Sequence, residues 1–178
     1  GQLKEFHSLL EDKAHFAEQL AKVKGPEAVW QNFFERNQWI FGYGLSFVAC
    51  DSLNDTKLEQ ITTGANIFHG AGKRSDAVMR TKGYLSSLLF GEIKTHETDL
   101  LASSPYRPPD VYRPSIELAG AVAQVQKTAD KAVRRLQQVI HSIAADTGTP
   151  TGVEVLTVAP RQILIVGHLN QLEENGAI

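Results

Sequence analysis

Cysteine is almost absent from this chain of 178 residues, with Cys50 the single one. No internal disulfide can form, and a zinc site built from cysteines is excluded. Cys50 itself reads as a small buried hydrophobe. Long apolar runs are missing too. The most apolar stretch, residues 85–93, is far too short to span a bilayer. No secretory signal is visible, so a cytoplasmic protein without a membrane partner is expected. Charge of one sign is also lacking, since 18 Lys+Arg against 20 Asp+Glu leave a formal charge of −2. Bulk charge therefore does not advertise nucleic-acid binding, and any basic surface has to be local. None of the histidines forms a His-Glu-x-x-His zinc motif. Gly70-Ala71-Gly72 lacks the Lys-Ser/Thr of a phosphate loop, so no nucleotide cofactor is expected. Repeats and low-complexity tracts are not seen.

What is present is enough globular sequence for one domain with a real core. Leu3, Phe6, Leu9, Leu10, Phe16, Leu20 and Val23 recur at helical spacing and predict one amphipathic helix ahead of Gly25-Pro26. Pro26 suits the first turn of a second helix, which stops near Asn37. Its Trp30, Phe33 and Phe34, with Trp39, read as core. A strand is expected over 45–50, a weak one over 61–68, and further strands over 73–81 and 84–94 joined by a tight turn at Lys82-Gly83. So short a connection predicts an antiparallel hairpin. Residues 95–114, with four prolines, read as a long loop of functional or mobile character. Ser115 is a good N-cap for a helix over 116–145. Two strands, 153–158 and 163–167, split by Pro160, follow. The order predicts a mixed α/β (α+β) sheet flanked by helices. The 84–94 strand is apolar on both sides and belongs in its covered middle.

That strand ends in Gly91-Glu92-Ile93-Lys94, and Asp76 lies on the preceding strand within Lys73-Arg74-Ser75-Asp76. Alternate strand residues share a face, so Glu92 and Lys94 project together. Two carboxylates at the ends of paired strands can offer hard oxygen ligands to Mg²⁺, which keeps several waters and binds phosphate directly. Such an ion polarises a phosphoryl oxygen and lowers the pKa of bound water. Lys94 can orient that water, take its proton or stabilise developing charge, and the sequence does not choose among these roles. About 0.6 Glu-x-Lys triplets arise by chance in a chain this long. The weight therefore rests on context: a doubly apolar strand, charges at its end, and an aspartate on its partner. A surface salt bridge at a strand terminus is the competing reading.

The same pieces, in order, resemble the PD-(D/E)XK nuclease superfamily. A closer likeness is to the Shedu anti-phage defence nucleases. Residues 29–42, Val29-Trp30-Gln31-Asn32-Phe33-Phe34-Glu35-Arg36-Asn37-Gln38-Trp39-Ile40-Phe41-Gly42, look like that family's opening motif. Lys73-Arg74-Ser75-Asp76 and Gly91-Glu92-Ile93-Lys94 resemble its catalytic strands, with serine before Asp76 where the superfamily name has proline. Residues 117–126 resemble its next helix and 160–167 its following strand, so the similarity runs over about residues 27 to 170. The resemblance implies a restriction-endonuclease-like fold and a Mg²⁺-dependent endonuclease, with Mn²⁺ as substitute, acting on double-stranded DNA, commonly as a homo-oligomer. It puts Asp76, Glu92 and Lys94 in the catalytic triad, with Asp76 and Glu92 on the metal, and adds Gln124 from the helix. It further implies residues 25–178 as the nuclease domain, part of a longer chain, and 1–24 as a helix or linker. A catalytically silent module that binds DNA or a partner is the alternative.

Supporting residues carry two readings each. Lys127, Lys131, Arg134 and Arg135 fall at helical spacing and can track phosphates or simply form a solvated face. Arg107, with Tyr106, Tyr112 and Arg113, can touch DNA or a partner subunit. Arg74 shares a face with Asp76 and can meet the scissile phosphate or pair with an acid. Glu35, or Glu27, on the second helix is a candidate additional metal ligand. His96 continues the parity of Glu92 and Lys94 and can border the site.

Overall fold

Asp12 divides the N-terminal segment into two helices, α1 (Gln2–Glu11) and α2 (Lys13–Leu20). One continuous helix was the sequence expectation. Asp12 instead takes an extended backbone, φ −98° and ψ 98°, and its carboxylate accepts from the amides of Ala14 and His15 at 2.9 and 3.1 Å. An N-cap that satisfies two otherwise orphaned donors is worth about 1 kcal/mol, enough to favour a restart over continuation. The computed structural model describes residues 1–42, 49–52, 77–82, 86–135, 139–143 and 149–174. The expected strand at 61–68 and Gly83 of the expected turn, with most of the 45–50 strand, lie outside them.

Helix α3 (Pro26–Arg36) begins with proline in its first turn, as expected, after Gly25 at φ 96°. A short helix, α4 (Trp39–Gly42), follows. Trp30, Phe33 and Phe34 are buried, but Trp39 is 53 % exposed, against expectation. Its indole N–H donates to Asn37 Oδ1 at 3.3 Å, and one polar handle in contact suffices to hold the ring at the surface.

The strands β1 (Ala49–Ser52), β2 (Ala77–Lys82), β3 (Ser86–Ile93), β4 (Val139–Ile143) and β5 (Pro150–Ile165) form one mixed sheet in the order β1-β2-β3-β5-β4. β2 and β3 are antiparallel, as the short connection predicted, with Ala77 opposite Gly91. β3 and β5 are parallel, so a crossover must join them. Helix α5 (Ile116–Arg135) supplies it and packs on both strands. It is shorter than the predicted 116–145 helix, because Val139–Ile143 pairs with β5 as a strand. The β-branched Val139, Ile140 and Ile143 favour that state once an open edge is beside them. The two strands expected around Pro160 are one, β5, with a register shift: Ser87 faces Leu156 while Leu89 faces Arg161. Ala159 sits within that irregularity at φ 52°.

β3 has neighbours on both edges and is covered on both faces, as its two-sided apolar pattern required. Leu89 and Ile93, with Met79 of β2, join Leu9, Phe16, Trp30, Phe33, Phe34 and Phe41 in one core cluster. The opposite parity carries Leu88, Phe90 and Glu92, all fully buried. α5 turns Ala121, Val125, Ala129 and Ala132 inward, small side chains that let it lie close to the sheet. A last helix, α6 (Asn170–Glu174), closes the described chain.

Candidate active site

A carboxylate is expensive to bury without partners. Glu92 is 2 % exposed and lies one residue from the end of β3, so its partners define the site. Lys94 Nζ approaches its Oε1 at 3.0 Å. Gln124 Nε2 donates to the same oxygen at 2.6 Å. The shared face of Glu92 and Lys94, expected from strand parity, is realised. Lys94 continues the sheet beyond β3, its amide donating to the Ile165 carbonyl at 2.8 Å. Gln124 stands two turns into α5. Ser115 fixes where that helix starts, since its hydroxyl accepts from the Leu118 amide at 2.9 Å and donates to the Asp99 carbonyl.

A second carboxylate holds Lys94 from the other side. Glu27 Oε1 is 3.2 Å from Nζ. Glu27 follows Pro26 in the first turn of α3, where a negative charge meets the positive end of the helix dipole. Burial works to lower the Lys94 pKa, but Glu92 and then Glu27 outweigh it and hold the value above that of an ordinary lysine. Lys94 in this arrangement is an ammonium at neutral pH, a hydrogen-bond donor rather than a proton acceptor.

Of the two helix acids considered from sequence, Glu27 is the one the fold brings to Lys94. Glu35, two turns further on, lines a groove with Glu5, Lys22, Asn32 and Arg36 instead. Nothing in the sequence ranked the two; Pro26 fixes where α3 begins but not how it is docked. His96 is drawn into the aromatic core. Its ring lies 4.8 Å from Phe16 and 5.4 Å from Trp30, and its Nδ1 accepts from the Trp30 indole at 3.2 Å. Burial lowers its pKa, Glu97 pulling the other way. Lys127 is exposed on α5, 3.9 Å from Asp130 Oδ2, and Lys131 is half-buried on the same helix. Arg107 is exposed on the 95–114 segment, with its guanidinium 5.8 Å from the Tyr106 ring centre. Asp76 and Arg74 lie outside the described residues. Asp76 immediately precedes Ala77, whose partner Gly91 is the neighbour of Glu92. Among the described residues no three histidine, cysteine or acidic side chains cluster around one point. No helix among them is long and apolar enough to cross a membrane.

A sequence reading would not find Gln171, which braces the approach to this site. Its Oε1 accepts from the Leu100 amide at 2.8 Å, and its Nε2 donates to the Thr98 carbonyl at 3.1 Å. The only local sign is a glutamine near the start of a short helix.

A buried acid at the end of a middle strand, with an ammonium and an amide on one of its oxygens, makes this a mixed α/β protein with an acid–lysine centre. The family model described as "Shedu protein SduA, C-terminal" matches residues 24–177, and the chain belongs to that family. No curated protein matches it. The family points to a part in the Shedu defence system.

Proposed function

We propose that this chain is a metal-dependent DNA endonuclease of the PD-(D/E)XK type, acting on double-stranded DNA in cytoplasmic anti-phage defence and working as a homo-oligomer. The observation that carries the reading is the buried Glu92 with Lys94 and Gln124 on its Oε1, in a member of the Shedu family. The donor set fits a hard cation. It offers carboxylate oxygens and neither thiolate nor a free imidazole pair, which suits Mg²⁺ and Mn²⁺ better than zinc or copper. Glu92 and Asp76 are the residues assigned to hold it. When bound, the ion would supply Lewis-acid polarisation of a phosphate oxygen and an acidified water.

The chain's own residues do the rest. Lys94 places a positive charge beside the site where a phosphodiester gains negative charge during hydrolysis. Glu27 holds that ammonium from the side of α3 and limits the rotamers it can take. Gln124 fixes the Glu92 carboxylate in one orientation. Lys127 and Lys131 on α5, and Arg74, are assigned to the flanking phosphates, where each cation adds to the salt dependence of binding.

Supercoiled plasmid tests this directly. Wild type is incubated with Mg²⁺, Mn²⁺ or EDTA, beside Glu92→Gln and Lys94→Ala. Nicking that needs the metal and vanishes in both variants is the expected result. Nicking that survives EDTA or either substitution removes the assignment. Duplex binding without nicking moves the chain to the silent DNA-binding class.

A further inference from the structure

Residues 95–114 read from sequence as a long proline-rich loop, yet they are ordered by their own backbone. Leu101 bridges Pro114 and Arg107 bridges Val111, both antiparallel. Between these, the Ala102 amide donates to the Arg113 carbonyl at 3.0 Å and the Tyr106 amide to the Val111 carbonyl at 2.7 Å. The result is a two-limbed arm whose tip, residues 106–111, is exposed throughout. The limbs are unequal, and the shorter, residues 111–114, limits the reach from root to tip to about 10 Å at a strand-like rise.

Its root is bolted down. The Ser115 amide donates to the Leu100 carbonyl at 3.0 Å, and the Gly167 amide to the Thr95 carbonyl at 2.9 Å. Gln171 grips Leu100 and Thr98 as described. The two ends of the arm thus leave from Lys94, just past Glu92, and enter α5, which carries Gln124. Any rigid body on that root stands at the same end of the sheet as the candidate site.

The tip presents apolar and cationic side chains to water. Tyr106 is 68 % exposed, and Val111 lies exposed beside it. The Arg107 guanidinium rests over the Tyr106 ring and has no carboxylate partner among the described residues. Pro108 and Pro109 between them bring no N–H donors. Asp110 is the one acid among these residues and is exposed, so the cation, the ring and the apolar side chains, and not net charge, are what match a DNA minor groove. Arg reads its negative potential, and apolar side chains press between base steps. The minor groove, about 6 Å wide, is too narrow for a two-stranded ribbon and admits only the side chains at its tip.

We propose that residues 101–114 form a duplex-gripping arm whose tip, Tyr106, Arg107 and Val111, enters the minor groove a few base pairs from the Glu92 site. A reach of about 10 Å corresponds to roughly three base-pair steps. The arm grips DNA about three base pairs from the catalytic residues, and it sets affinity and register rather than chemistry. The choice of duplex DNA as its partner rests on the nuclease reading; the arm's order and exposure do not.

The test separates the two. Duplex affinity of the full protein is measured by fluorescence anisotropy in EDTA over a salt series, for wild type, Tyr106→Ala/Arg107→Ala, Arg107→Gln and Glu92→Gln. Plasmid nicking in Mg²⁺ and melting temperature are recorded for each. The double variant is expected to lose at least tenfold in affinity at unchanged melting temperature. Arg107→Gln should lower the salt slope by about one. A minor-groove drug should displace wild type, and Glu92→Gln should lose nicking. If the double variant binds and nicks like wild type, the arm assignment falls and the nuclease reading stands. If that variant instead changes the oligomeric state with affinity intact, the arm is a contact between copies and the proposal falls. Arm-dependent binding by a wild type that never nicks supports the arm and removes the nuclease reading. A wild type that neither binds nor nicks overturns both.

Discussion

Gln124 Nε2 and Glu92 Oε1 lie 2.6 Å apart, joining α5 to the middle strand at the one buried acid of β3. A hydrogen bond to a charged, buried acceptor contributes about 1.5–3 kcal/mol. Gln124→Ala should lower stability by about 2 kcal/mol and the melting temperature by about 4–8 °C. It should also reduce plasmid nicking by about 10–100-fold, the usual cost of losing a residue that orients a ligand. Gln124→Glu should be worse on both counts, since it sets a second carboxylate against Glu92. Calorimetry and a nicking time course check this pair, and a neutral Gln124→Ala would remove the contact from the site.

The two acids on Lys94 should be unequal. Glu27 is 46 % exposed, whereas Glu92 is buried. An ion pair with a half-exposed partner is worth about 0–1 kcal/mol. Removing the partner of a buried charge costs about 3–5 kcal/mol. Denaturant midpoints should therefore barely move for Glu27→Ala and should fall steeply for Lys94→Met. Glu27→Ala should keep binding duplex while nicking more slowly, because the ammonium loses one of its two anchors. Equal midpoints for the two variants would mean that Glu92 is better solvated than its burial implies.

Periodicity carried the reading furthest where burial was simple. The two-sided apolar pattern of residues 85–93 placed β3 in the middle of the sheet. Pro26 and Ser115 marked two helix starts through chemistry that is local and nearly context-free. The failures share a different cause, competition settled by distant partners. Val139–Ile143 follows a helical pattern in sequence but finds the open edge of β5. Asp12 sits inside an apolar helical repeat, yet its carboxylate does better as a cap. Trp39 follows three buried aromatics and stays at the surface. At the site, parity alone joined Glu92 to Lys94, and likeness to known nucleases brought in Gln124. The choice of Glu27 over Glu35 was illegible, because it depends on how α3 is docked and not on its composition. Asp76 and Arg74 lie outside the described residues.

His96 should impose a pH dependence on folding. Its folded pKa is pushed below the ordinary 6.5 first of all by burial, with His168 adding to the shift and Glu97 opposing it. Between that lowered value and 6.5 the unfolded chain binds more protons than the folded one, so stability falls as pH falls. Above 6.5 the ring is neutral in both states and contributes no slope. Protonation would also cancel the acceptor that Nδ1 offers the Trp30 indole. Replacing His96 with Phe should flatten the stability–pH curve below 6.5 and cost about 1 kcal/mol above it, from the lost bond. Urea melts from pH 5 to pH 8 (roughly the range over which histidine titrates) measure both effects. An unchanged acid limb would show that the ring protonates as freely in the fold as outside it.

Gly167 should be irreplaceable at the root of the arm. Its φ of 65° is one that a side chain adopts only at a cost of about 1–2 kcal/mol. A β-carbon there would also lie 2.5 Å from Leu100 Cδ2 and 3.0 Å from the Thr98 carbonyl oxygen. The leucine tip can swing aside, but that carbonyl is held by Gln171 and has little freedom. Gly167→Ala is thus expected to lose about 2–3 kcal/mol, adding steric strain to the conformational cost. The damage should be local. Amides that tie the root, Leu100 and Ser115, should exchange with solvent faster, while those of β3 keep their protection. Duplex affinity should weaken with the root even though no DNA-facing side chain is altered. Uniformly faster exchange across β3 as well would mean that the root and the sheet unfold as one unit, and that the arm has no independent footing.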